Sequence, residues 1–104
     1  MNWNSLSNSA IIEETGKRLK NYRIRRKLTQ QELADQAGVS LFSVAQIERG
    51  KAVTMLVFLS VLRVLRLLDN FELFIPEIGI SPIELLKLKG KTPKRIKKSK
   101  AKSP

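Results

Sequence analysis

Chemistry in this chain has to come from its cations. Twenty Lys and Arg residues stand against nine Asp and Glu, and the 104 residues include neither His nor Cys. Without imidazole or thiol, the usual nucleophile–base sets, disulfides and most zinc sites cannot be assembled. The carboxylates are scattered along the chain, so no enzyme, metal site or cofactor is expected. What remains to Lys and Arg is to bind anions or to pair with carboxylates. Nine of them lie from Lys87 onward with no acidic residue among them, while residues 1–86 hold eleven basic and all nine acidic ones. Seven of those eleven fall between Lys17 and Lys27. An anionic partner and a merely solubilising tail both fit this distribution. Arg23 does something else: it falls beside the apolar positions of its segment, and a buried guanidinium needs a carboxylate.

The elements that must position these groups are helical. Residues 1–9 are polar, with Trp3 as their only large ring, and read as a flexible segment. From about Ala10 to Lys27 a helix is expected, with Ile12, Thr15, Gly16, Leu19 and Tyr22 making one face at i, i+3, i+4 spacing. Its first turns carry Glu13 and Glu14 and its end is basic, which complements the helix dipole. Thr29 and Glu32 form a capping box, Leu33, Ala34 and Ala37 give a small apolar face, and Gly38 can end a helix sharply. Ser40 caps a further helix, in which Val44 and Ile47 are the inward pair and Gly50 the stop. Two short helices over a Gly-containing turn make a helix-turn-helix unit from Thr29 to Gly50.

Thr54 is the expected N-cap of a fourth helix, about Met55 to Leu67. It is apolar over so much of its circumference that it should be buried on two sides, one of them by a second copy. At 14 residues with Ser60, Arg63 and Arg66 inside it, the run Met55–Leu68 is too short and too charged to span a membrane. Asp69-Asn70 signals a turn, and Phe71 to Ile75 reads as a short strand closed by Pro76. A lone strand leaves its backbone unpaired, which antiparallel pairing with a second subunit would repair. Ser81-Pro82-Ile83-Glu84 should start a short helix to about Leu88, and residues 89–104 are too basic and apolar-poor to fold. No leader segment is evident at the start, and a soluble cytoplasmic protein is expected.

Four spaced elements agree in order: Gly16-x-x-Leu19-x-x-x-Arg23, Leu28-Thr29-Gln30-Gln31-Glu32-Leu33-Ala34, Gly38-Val39-Ser40 and Ile47-Glu48-Arg49-Gly50. Together they resemble the lambda-repressor/Cro-like helix-turn-helix (XRE) family over about residues 12–65. The resemblance implies a structural ion pair between Arg23 and Glu48. It also implies a reading helix at Leu41–Arg49 whose outward residues Leu41, Phe42, Ala45, Gln46 and Arg49 face the major groove. Gln46 can make two hydrogen bonds to adenine, and the apolar residues can touch thymine methyls. Gln30, Ser40, Ser43 and Lys51 complete the implied DNA-binding set, mostly at phosphates.

The expected fold class is therefore mainly all-α: a lambda-repressor-like bundle of four to five helices with one short C-terminal strand paired across a dimer. The segments are 1–9 flexible, 10–68 DNA-binding, 69–88 dimerisation strand and short helix, and 89–104 basic tail. Leu56, Val64, Leu68, Phe71, Leu73 and Ile75 are the expected dimer contacts. The expected function is a dimeric transcriptional regulator of repressor type on double-stranded DNA. The lone strand is similar to that of HipB-type antitoxins, which gives the alternative of an antitoxin that binds a toxin kinase and represses its own operon.

Overall fold

The computed structural model describes residues 1–79. They contain five α-helices: α1 (Asn8–Arg25), α2 (Gln30–Ala37), α3 (Leu41–Glu48), α4 (Met55–Val64) and α5 (Phe71–Phe74). Single 3-10 turns occur at Trp3–Ser5 and Leu68–Asn70, and the described residues contain no strand. The chain divides into two compact units, Met1–Phe71 and Glu72–Pro104. The short helix expected at 81–88 and the basic tail 89–104 lie outside the described residues.

The helices of the first unit are bounded by side-chain chemistry at both ends. Ser7, Thr29, Ser40 and Thr54 each accept an N–H from the residue three positions on, satisfying a donor that the helix itself leaves open. At α2 the capping box is complete, with the Thr29 N–H donating back to Glu32 Oε1 at 2.8 Å. The expected caps Thr29, Ser40 and Thr54 all serve; Ser7 starts α1 two residues earlier than the periodicity predicted.

All four long helices stop in the same way, by a left-handed residue that turns the last carbonyls toward following N–H groups. Gly38 (φ 70) and Gly50 (φ 80) do this after α2 and α3. After α1 and α4 the left-handed residues are Lys27 (φ 59) and Arg66 (φ 62). At α4 the Leu67 N–H reaches Leu62 O at 2.9 Å and the Arg66 N–H reaches Arg63 O at 3.2 Å. This ends α4 at Val64, short of the expected Leu67. A left-handed L residue costs about 1–2 kcal/mol, against roughly 0.5–1 kcal/mol of entropy for Gly. Arg66→Gly should therefore raise stability by about 0.5–1 kcal/mol, read as an increased melting temperature; a decrease would show that the Arg66 side chain contributes more than its backbone costs.

The core of the first unit is Leu19, Leu33, Ala34, Val44, Ile47, Val61, Leu62 and Leu65. α3 packs on α1 and α2, and α2 also packs on α4. Gly16 sits where α1 meets α3: a Cβ there would overlap the carbonyl oxygen of Ile47 and lie 3.2 Å from its carbonyl carbon. Of the face expected on α1, Gly16 and Leu19 are buried, while Ile12 and Tyr22 remain at the rim. The N-terminal segment, read as flexible, makes defined contacts: the Arg18 guanidinium lies 4.8 Å from the Trp3 ring centroid and pairs with Glu14 at 3.0 Å.

The expected strand at Phe71–Ile75 is a helical turn instead, Phe71–Phe74. A strand would need a second chain's backbone, whereas a helical turn satisfies its groups locally. Four apolar-rich residues fit either periodicity. The preceding 3-10 turn decides the matter by leading Phe71 onto the same core against which Leu68 packs. No helix among the described residues is long and apolar enough to cross a membrane.

Candidate nucleic-acid interface

Burial, rather than residue polarity, distinguishes the two faces of α3. Val44 and Ile47 point into the core, where they are almost completely buried. The opposite face carries Leu41 (43% exposed), Phe42 (67% exposed), the half-buried Ala45 and Gln46, and the exposed Arg49. These are the five outward positions expected from the sequence, brought onto one surface. The helix runs Leu41–Glu48, with Arg49 as its C-terminal cap residue rather than its last turn.

Below that face, one buried polar cluster locks α3 in place. Glu48 at the end of α3 accepts from Arg23 Nε at 2.7 Å and from Arg23 Nη2 at 3.0 Å, a bidentate pair reaching across to α1. The side chains are only 11% and 4% exposed. Arg23 Nη1 donates to the Leu28 carbonyl at 2.7 Å, and Gln30 Nε2 at the start of α2 donates to Glu48 Oε1 at 2.9 Å. Thus α1 and α2 both donate to the one carboxylate of α3, and the turn after α1 is tied in through the Arg23 guanidinium. The hydrogen bond to Glu48 raises the Arg23 pKa above its ordinary value, burial works against it, and the charge of Glu48 adds to the rise. Arg23 is cationic at every ordinary pH.

The sequence pattern pointed to the Arg23–Glu48 pair but not to its other members. A backbone carbonyl carries no sequence signal, and Gln30 was expected at a phosphate. Its carboxamide nitrogen bears two protons, of which Glu48 takes one. At the other end of α3 the Ser40 hydroxyl donates to Ser43 Oγ at 2.9 Å while capping the Ser43 N–H. Arg49 donates to Oε1 of Gln46 across one helical turn. Lys51 is exposed just beyond Gly50. A family model described as helix-turn-helix matches residues 19–68. Residues 19–68 are thus a helix-turn-helix domain of the lambda-repressor-like kind. A comparison with curated proteins finds no match.

The helix-turn-helix domain is a DNA-binding one, of the kind found in transcriptional regulators. Its match begins at Leu19 and ends at Leu68, so it takes in the ion pair, both helices of the motif and the whole of α4. Of the residues expected at a dimer contact, Val64, Leu68 and Phe71 are half-buried and pack against the domain's own core. Leu56 (75% exposed), Leu73 (86% exposed) and Ile75 (61% exposed) do not share that burial.

Proposed function

We propose that this chain is a sequence-specific regulator of repressor type that reads the major groove of double-stranded DNA with α3, as a homodimer, in the cytoplasm. The observation that carries the reading is the two-sided use of α3. Its inner face and Glu48 are held rigidly by α1 and α2, and its outer face is left to solvent with Gln46 and Arg49 as hydrogen-bonding groups. A reading helix needs both, because base contacts discriminate only when the helix carrying them is fixed. Gln30, Ser40 and Ser43 lie at the N-terminal ends of α2 and α3, where phosphates approach helix N-termini, and the exposed Lys51, just past the C-terminal end of α3, suits a phosphate by its charge. Leu41, Phe42 and Ala45 are suited to thymine methyls. The tail adds affinity that depends on salt and not on sequence.

The dimer contact is drawn from α4, where the adjacent Met55 and Leu56 are 64% and 75% exposed. Such large apolar groups side by side are better satisfied by a second copy than by water. The antitoxin reading drew on the strand at Phe71–Ile75, and the helical turn found there takes away its motive.

Selection of binding sites from random duplex DNA, with mass in solution measured alongside, tests the proposal. The expected product is a two-fold symmetric site with half-sites about 34 Å apart and a dimeric mass. Recovery of no preferred sequence would refute it. Leu56→Asp should yield a folded monomer by light scattering, with affinity for the symmetric site reduced at least tenfold; a persisting dimer would move the contact elsewhere.

A further inference from the structure

On the outer face of α3, Arg49 spends a hydrogen bond on its neighbour. Its Nη2 donates to Oε1 of Gln46, the residue three positions earlier and so one turn below it. The carboxylate next to Arg49 in sequence, Glu48, points inward and is already held by Arg23 and Gln30. The backbone on both sides of the contact is fixed. The Arg49 N–H bonds Ala45 O at 3.0 Å, the Lys51 N–H bonds Gln46 O at 2.9 Å, and Gly50 takes φ 80. Gln46 is half-buried, which narrows the rotamers open to it.

A guanidinium has donors and no acceptor. The end of the Gln46 carboxamide that it engages is therefore the oxygen, one of whose two lone pairs it takes, and the NH₂ group is the end with all its hydrogen-bonding capacity left for a base. Adenine's major-groove edge offers one donor and one acceptor, so reading it with glutamine requires the oxygen as well as the nitrogen. Guanine offers two acceptors, O6 and N7. We infer that Arg49 is a positioning residue that orients the Gln46 carboxamide so that the pair presents donors only and selects guanine over adenine. The inference rests on α3 lying in the major groove, as proposed above.

Binding-site selection with the full chain and four variants tests it, each variant checked for unchanged helix content by circular dichroism. Gln46→Ala identifies the base pair beneath residue 46 as the position where preference collapses. At that position the unaltered protein should favour guanine over adenine by about tenfold or more. Arg49→Met keeps the aliphatic stem without the donors and should move the preference toward adenine by about tenfold, because the released carboxamide can turn its oxygen to the base with both lone pairs open. Arg49→Lys, which can still donate to Oε1, should retain more of the guanine preference than Arg49→Met. Gln46→Glu should abolish it in favour of cytosine. An adenine preference in the unaltered protein would overturn the inference. So would an Arg49→Met variant that loses affinity evenly on all sequences, the signature of a phosphate contact. A protein that selects no sequence at all would instead refute the proposed function, and the role of Arg49 would fall with it.

Discussion

Glu48→Ala is expected to cost about 3–5 kcal/mol of folding stability, most of what a domain of this size has to lose. The reason is what it leaves behind. Arg23 is 9% exposed, and the Leu28 carbonyl would be the single hydrogen-bond acceptor left to its guanidinium among those the structure gives it. Gln30 would lose its acceptor in the same stroke. An unpaired buried cation is far more costly than a missing salt bridge is valuable, and this asymmetry makes the test specific. Arg23→Met with Glu48→Leu removes both charges together and should recover much of the loss. Denaturant unfolding of the single and double variants checks this. A cost below about 1 kcal/mol for Glu48→Ala would mean that the pair behaves as a solvated one. Because the Arg23 pKa is raised, its share of this stability is fully present below the ordinary guanidinium value and is lost only above the raised one, in strong alkali.

Gly16→Ala should also destabilise, by about 3 kcal/mol, against the usual direction of such a change. In a helix interior Ala is normally better than Gly by roughly 0.5–1 kcal/mol. Here the added methyl would overlap the Ile47 carbonyl oxygen, which is backbone in the last turn of α3, already accepts from the Gly50 N–H at 3.0 Å and cannot swing aside. α1 and α3 would have to separate, opening the Leu19–Ile47 region of the core and shifting the Arg23–Glu48 contact with it. Gly38→Ala is the comparison: its φ is 70 but nothing lies within 4 Å of its Cβ position, so about 1–2 kcal/mol of backbone strain is the whole expected cost. Thermal unfolding of both variants separates steric overlap from strain. A stabilised Gly16→Ala would refute the close approach of the two helices.

Much of the architecture was legible because it is written in local chemistry. Thr29, Ser40 and Thr54 are caps by residue type and position, and Gly38 and Gly50 stop their helices for steric reasons that hold in any fold. The inward pair Val44 and Ile47 follows from helical spacing alone. The left-handed backbone at Lys27 and the helix end at Arg66 were not legible, since a basic residue in the left-handed region carries no signal of its own. Nor was the fate of Phe71–Phe74: four residues rich in apolar side chains satisfy a strand and a helical turn equally, and the choice lies with what each backbone can pair to.

The amino-acid sequence by itself determined the helix-turn-helix, its inward pair and the need of Arg23 for a carboxylate, because capping, periodicity and the cost of a buried cation act over a few residues; that Glu48 is the partner came from the family resemblance. Only the tertiary structure decided how far that pairing extends, to the Leu28 carbonyl and Gln30, and that Arg49 turns outward to Gln46. Those contacts depend on which carboxylate is already taken. That is settled when α1, α2 and α3 pack, and not before.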